Sequence, residues 1–437
     1  MPEKNTPKLD SFSLLNFRSY RQAEIRFGRL TLLVGPNASG KSNLIEGLRL
    51  LCWLARGLRF SELPRQIAGG EVCLRGDSNS FAYETSGKGH FRLGCQVSPK
   101  SLDFQADLLT APLGLLHERL TSLNDVYYSA FAESSKSGVD PCDVEYNSFA
   151  KGRNPKIHCN SQQLVLTQLT TPAPFRHQDR ESKKRIPEAA NAVREVLRRT
   201  FFFDAEPRHM RGYVRKDSGS LHENGQNTSA VLWELCQKPS AKDELLQFVK
   251  SLPDGEITDI GFLGTDKGDE YKIKLTERFG DRTRECDADL LSDGTLRVLA
   301  VAAALLSAEP GSLVVIEEID SGVHPSRAKR LLSNIHETAS RRNLRVLLTT
   351  HNPALMDAVP DEAIGDVACC YRDPDEGHSR IMHIKDLHEA PEVLAQGPLG
   401  QVVTQGILDR YLKDKRTPEQ KKQQKLQWLQ SLRETGS

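Results

Sequence analysis

The stretch LLVGPNASGKSN, residues 32–43, decides the fold of this 437-residue chain. Three apolar residues, Leu32, Leu33 and Val34, lead into Gly35. The run from Gly35 to Ser42 then fits G-x-x-x-x-G-K-[ST], a strand–loop–helix pattern for holding phosphate. Gly35 and Gly40 let the backbone turn tightly around an anion with its N–H groups inward. The amphipathic run from Lys41 to about Ala55 predicts a helix whose positive dipole end faces the phosphates. Lys41 is expected at the β- and γ-phosphates of ATP, and the Ser42 hydroxyl on Mg²⁺. Asn37, Ser39 and Asn43 complete the candidate nucleotide contacts of this loop.

Working outward, the bulk numbers exclude little and locate much. The chain carries 59 Lys and Arg against 58 Asp and Glu, so net charge argues for neither nucleic acid nor membrane as a partner. No apolar run approaches the roughly 18 residues that span a bilayer, and MPEKNTPKLD has no signal-peptide core, so a cytoplasmic chain is expected. Nine cysteines lack C-x-x-C spacing and twelve histidines form no H-x-x-x-H cluster, which leaves free thiols and no protein metal site. The metal is expected to arrive with the nucleotide.

Strands are expected at FSLLNF and AEIRF, paired as a hairpin, then at LTLLVG, GEVCLRG, FAYET, HFRLGCQV and LDFQADLL. The signal weakens from about 115 to 185. There DVEYNSFAKGRNPKIHCNSQQLVLTQL reads as strands and TTPAPFRHQDRESKKR as a loop. PEAANAVREVLRRTFFF reads as a helix with Pro187 at its start. TSAVLWELCQ and DELLQFVKSL read as helices, EITDIGFLG and EYKIKLTERF as strands. The last third alternates helix 295–307, strand SLVVIE, helix 325–341 and strand RVLLTT, which argues a parallel sheet. RDPDEG reads as a hairpin turn. The polar tail, with Leu426, Leu429 and Leu432 at helical spacing, reads as an exposed helix or a docking segment.

Four further pieces bear on one site. SLVVIEEID is a buried strand ending in Glu317 and Glu318; the first acid can bind Mg²⁺ through water and the second can orient or deprotonate an attacking water. A solvated acidic turn is the alternative. LLSDGTLR places Ser292 and Gly294 at a helix start that offers free N–H groups to a phosphate, or serves as an ordinary cap. DSGVHP puts Asp320 where a neighbouring subunit would be met. VLLTTHNPAL ends a second buried strand with His351 at the carboxyl edge, where parallel sheets bind ligands; a structural histidine is the alternative.

These motifs, in this order, resemble the ABC-class ATPases of the RecF, SMC and OLD branch. NFRSY followed by GPNASGKSN is similar to the opening of that branch, LLSDGT to its signature, VVIEEID to its Walker B segment and TTHNP to its switch histidine. EEIDSGVHP resembles the form found in stand-alone OLD- and RecF-like AAA-family ATPases of bacterial anti-phage defence. The likeness covers roughly residues 8–60 and 285–360. It implies an α/β P-loop NTPase of the ABC head type, with a mainly parallel sheet, an N-terminal antiparallel β lobe, a mixed α/β insertion and no long coiled coil. The expected division is 1–110 and 251–400 for the two halves of the head, 111–250 for the insertion and 401–437 for the tail.

The same resemblance implies function. Two chains, or a higher oligomer built from such pairs, would sandwich ATP and Mg²⁺, the P-loop of one facing Ser292 and Gly294 of the other. Glu318 would act as base, His351 would hold the γ-phosphate, Lys41 would assist, Ser42 and Glu317 would hold the metal, and Arg18 would lie near the base. Asp293 departs from the usual glycine of the signature and places an acid near the partner's phosphates. Gln66, Gln96 and Gln105 are rival candidates for the Q-loop. The residues after His351 are expected to be too few for a Toprim nuclease fold. A separate effector, nuclease or toxin, is therefore expected, with a RecF-like repair ATPase acting on DNA as the alternative; a transport ATPase and a self-contained nuclease fit less well. From Lys151 to Lys216, fifteen basic residues face six acids, a segment suited to DNA, to an acidic partner or to a solvated helix face.

Overall fold

A computed structural model describes residues 6–414, apart from 71, 84–88, 133–140, 153, 218, 251–255 and 320–324, together with residues 416, 419, 420, 423 and 427. The chain opens with an antiparallel hairpin, β1 (Lys8–Phe17) and β2 (Tyr20–Arg26), and β3 (Leu30–Val34) then runs through the P-loop into α1 (Lys41–Leu54). After α2 (Leu63–Ala68) comes an antiparallel run: β4 (His90–Ser98), β5 (Leu102–Thr110), β6 (Leu113–Thr121), β7 (Val126–Phe131), β8 (Pro141–Tyr146) and β9 (Lys156–Asn160). Helices α3 (Val165–Gln168) and α4 (Arg180–Arg198) lead to β10 (Phe201–Phe203) and β11 (Val214–Arg215). Then follow α5 (Thr228–Cys236), α6 (Pro239–Val249), β12 (Glu256–Gly264), β13 (Glu270–Phe279), β14 (Arg282–Asp287), α7 (Asp293–Ser307), β15 (Leu313–Ile316), α8 (Pro325–Arg341), β16 (Arg345–Thr350) and α9 (Pro353–Asp357). The remainder is α10 (Asp361–Ile364), the hairpin β17 (Ala368–Arg372) and β18 (Ser379–His383), and α11 (Ala390–Leu394), α12 (Leu399–Thr404) and α13 (Ile407–Lys413).

One fourteen-stranded sheet organises the molecule, in the order β10-β15-β16-β3-β17-β18-β2-β1-β4-β5-β6-β7-β8-β9. It is parallel from β10 to β17 and antiparallel from β2 to β9. The antiparallel lobe expected near the N-terminus is thus the continuation of the nucleotide-binding sheet. A smaller antiparallel sheet, β11-β13-β12 with β14 on β13, packs with α5 and α6.

Period-two alternation explains the apolar runs. Leu33, Leu313, Val315 and Leu347 face one core with α1 and α4, whereas Leu32, Val34, Val314, Ile316, Val346 and Leu348 face the other with α7 and α8. Strands covered on both faces are apolar along most of their length, and the threonines they carry, Thr31, Thr349 and Thr350, are buried as well. Helix α7 lies in the second core with eleven of its fifteen residues buried, as a helix apolar on all sides must.

Local expectations fail in four places. FFF, expected to end the helix before it, is the strand β10, paired with β15. GEVCLRG forms no strand over its described residues, and FAYET makes only an isolated bridge, Phe17 to Ala82. LVLTQ is the short helix α3. Pro187 sits inside α4 rather than at its start, because the helix begins two turns earlier at Arg180; Ser182 and Ile186 are buried there, so packing carries the helix through the charged segment. Asp320 and the leucines of the tail lie outside the described residues.

Candidate nucleotide site

The P-loop needs its glycines twice over. Gly35 and Gly40 have φ of 153° and 122°, a region that side chains avoid. A Cβ at Gly35 would also lie 2.2 Å from the Cys370 carbonyl, and one at Gly40 2.4 Å from Ser379 Oγ. The β17–β18 hairpin therefore presses on the loop from behind. Tyr20 Oη donates to the Gly40 carbonyl (3.1 Å), Cys370 Sγ to the Ser39 carbonyl (3.3 Å), and Ser379 Oγ also to Ser39. Arg372 Nε donates to the Ala38 carbonyl at 3.0 Å.

A cavity of about 430 Å³ opens above this loop, lined by Asn37, Ala38, Gly40, Lys41, Ser42, Asn43, Ile45, Arg75, Glu317, Glu318, Thr349, Thr350, His351 and Arg372. Lys41 Nζ donates to the Gly35 and Pro36 carbonyls (2.6 and 3.0 Å), which places the ammonium over the loop. The buried Ser39 Oγ has no hydrogen-bond partner among the described residues. A loop of inward donors, an ammonium and an unpaired buried hydroxyl fit a polyphosphate.

The acids enter from the carboxyl edge of β15. Phe203 and Ile316 are register partners on β10 and β15, and the Glu317 N–H continues that ladder by donating to the Phe203 carbonyl at 3.0 Å. Glu318 then leaves the strand with φ 48°, a strained value for a side chain with a Cβ. Its N–H donates to Thr349 Oγ1 on β16 at 2.9 Å, which fixes the turn. Burial raises the pKa of the Glu317 carboxyl above its ordinary value. Arg49 of α1, 3.6 Å away, opposes that shift, while Asp204, Glu223 and Glu318 add to it. A carboxylate crowded by other acids beside the Ser42 hydroxyl fits a divalent cation, which would relieve the repulsion. His351 is exposed at the end of β16, and Asn352 beside it caps α9 by accepting from the Ala354 N–H at 2.9 Å.

Among the residues singled out from sequence, Asn37, Gly40, Lys41, Ser42, Asn43, Glu317, Glu318 and His351 meet at this cavity. Gly35 and Ser39 form the loop beneath it. Arg18 stands one layer back. It donates to Glu46 Oε2 (2.9 Å) and Ser80 Oγ (2.9 Å), and Glu46 in turn pairs with Arg75. Ser292 and Gly294 do not line the cavity; Ser292 caps α7 by accepting from the Thr295 N–H at 3.1 Å. None of Gln66, Gln96 and Gln105 lines it either: Gln66 accepts from Trp53, and the other two donate to Asp103. Sequence reasoning missed Arg75, Arg372 and Thr349. Arg75 donates to Asn43 Oδ1 at 2.8 Å, yet only its charge in a short polar turn marks it in the sequence.

Two family matches cover consecutive parts of the chain. The family described as "AAA ATPase domain" matches residues 8–173, and that described as "AAA domain, putative AbiEii toxin, Type IV TA system" matches residues 169–357. In two consecutive parts the chain is therefore similar to AAA ATPase domain families. The chain is 47% identical over 58 residues to the DNA replication and repair protein RecF of Magnetococcus marinus, 13% of this chain and 14% of that one. It is 26% identical over 163 residues to RecF of Leptospira interrogans, 33% and 44% of the two chains. It therefore spans less than half the length of these curated relatives. Its fold is similar to the crystal structure of an SMC head bound to the C-winged helix domain of ScpA, at 12% identity and TM-score 0.46 over 88% of this chain and 99% of that one. Among the described residues of the chain, no helix is long and apolar enough to cross a membrane.

Proposed function

We propose that the chain binds and hydrolyses ATP as a homodimeric switch, and that the switch drives a separate DNA-directed effector, a nuclease or toxin, in anti-phage defence. One observation carries the dimeric reading. Lys41, Ser42, Glu317, Glu318 and His351 line one cavity, whereas Ser292 and Gly294 lie off it. A chain built this way can offer its P-loop to one nucleotide and its α7 start to another. The family description naming a toxin of a type IV TA system supports the effector half of the reading.

The chain's own groups divide the work. Lys41 and the loop N–H groups hold the β- and γ-phosphates, and Arg75, which lines the same cavity, adds a second positive charge. Glu318, held rigidly by Thr349, takes the proton of the attacking water. His351 hydrogen-bonds a γ-phosphate oxygen. Ser42 and Glu317 would hold Mg²⁺, which would supply neutralisation of phosphate charge. Ser292 and Gly294 of the partner chain close the far side through the free N–H groups at the start of α7.

The test is a pull-down from the native host with Glu318→Gln, which should bind ATP and stay closed, against Lys41→Ala, which should not bind it. A nuclease or toxin recovered only with the trapped form establishes the switch. DNA recovered alone, with a salt-dependent affinity, supports instead a RecF-like ATPase acting directly on DNA, the reading favoured by the two RecF relatives. Neither in the trapped complex sinks both.

A further inference from the structure

Asp293 is the residue of the signature that the dimeric reading leaves unexplained. It opens α7 at the end meant to face the partner's triphosphate, and it is exposed. A carboxylate there opposes the attraction that the helix start exerts on an anion. The structure shows what offsets it. Arg211, from the segment between β10 and β11, donates through one terminal nitrogen to Asp293 Oδ1 at 2.6 Å. The other terminal nitrogen donates to three carbonyls of the loop before α7: Ala288 at 3.0 Å, Asp289 at 3.0 Å and Leu291 at 2.8 Å.

Five-donor planar geometry suits this task. One guanidinium can gather a curved row of carbonyls and still face a carboxylate, whereas an ammonium could not hold both in fixed directions. The remaining acids of the loop are treated alike. Lys272 Nζ pairs with Asp289 at 2.6 Å and with Asp287 at 3.2 Å. The acid-rich run 287–293 thus reaches the surface already paired with cations of its own lobe. Arg211 does not line the chain's own cavity.

We infer that Arg211 is a positioning residue for the partner's ATP site: it shapes the loop ahead of α7 and neutralises Asp293, so that the signature can approach a triphosphate. The inference rests on the ATP-sandwich reading above. Two effects follow from two halves of one side chain, and they separate on substitution. Loss of Arg211 frees both the loop and the Asp293 charge; loss of the Asp293 charge as well leaves only the loop effect.

The experiment measures ATP-dependent dimerisation of the full chain by sedimentation in a Glu318→Gln background, with binding of ATP to the monomer as the second readout. Arg211→Ala should raise the dimer Kd at least about tenfold, as an unpaired like charge at an interface does, with monomer ATP affinity unchanged. Adding Asp293→Asn should recover most of that loss, and Arg211→Lys should recover it in part. A thermal melt of each variant identifies one that has not folded. Arg211→Ala that dimerises like its parent overturns the inference. So does a double variant no better than Arg211→Ala, since that would make Arg211 a loop clasp alone. If the parent itself does not dimerise with ATP, the sandwich reading fails first and the inference falls with it, a result distinct from the other two.

Discussion

Replacing Thr349 with valine tests the catalytic geometry with almost no change of shape. Thr349 is buried, and its Oγ1 accepts the Glu318 N–H at 2.9 Å. Valine keeps the volume and removes the acceptor. The unpaired N–H costs about 1–3 kcal/mol, and Glu318 already holds a left-handed conformation worth about 1–3 kcal/mol of strain. If Glu318 is the base proposed above, relaxing that strain would carry its carboxylate away from the attacking water. If one such contribution of about 1–3 kcal/mol is lost from the transition state alone, turnover falls roughly 5- to 150-fold. Lys41 and the P-loop are untouched, so ATP affinity should stay within about threefold. Steady-state turnover and equilibrium ATP binding, measured on the same preparation, separate the two. Turnover within twofold of the parent in a folded variant would refute the claim that Thr349 sets the position of Glu318.

Two further substitutions probe the frame. Gly40→Ala should abolish ATP binding and lower the melting temperature, because its Cβ meets Ser379 Oγ at 2.4 Å and its φ is 122°; a variant that binds ATP normally would show that the loop can move off the hairpin. Glu118, fully buried on β6, accepts from Tyr128 Oη (2.7 Å) and from the N–H groups of Val165 (2.9 Å) and Leu166 (2.6 Å), and burial pushes its pKa from 4.5 to about 7 despite those bonds. A carboxyl that binds its proton more tightly when folded loses stability as pH rises from about 4.5 to about 7. Denaturant melts of the parent and of Glu118→Gln should therefore converge by a few kcal/mol between about pH 5 and pH 8. A stability difference that does not change with pH would show that Glu118 keeps an ordinary pKa.

How much was legible depended on whether a residue's neighbours along the chain determine its role. The P-loop, the acids after SLVVI and the histidine after RVLLTT each sit at the end of an apolar run, so local pattern alone places them at strand ends. The parallel order followed from alternation of strand and helix. By contrast, β6, β7 and β14 were not anticipated: β14 reads RTRECD and is exposed along most of its length, so no apolar period betrays it. Pro187 misled because its usual meaning is a helix start, while burial of Ser182 and Ile186 decided the boundary. Arg75, Thr349 and Arg211 act through partners far away in sequence, and no spacing rule reaches that far. The pairing of Asp293 with Arg211 could be found only once the loop before α7 had a shape.

The great sheet has one narrow place. Its parallel and antiparallel parts meet where β18 runs beside β2, and a single register pair, Ser379 with Tyr20, joins them. Those two residues are also the ones whose hydroxyls hold the P-loop carbonyls of Ser39 and Gly40. Eight strands lie on the far side of that seam, with neighbours about 4.8 Å apart. A tilt of about 5° there would swing β9 through roughly 3 Å, by the length of that arm. The join between the two halves of the sheet and the support of the loop thus share the same two side chains.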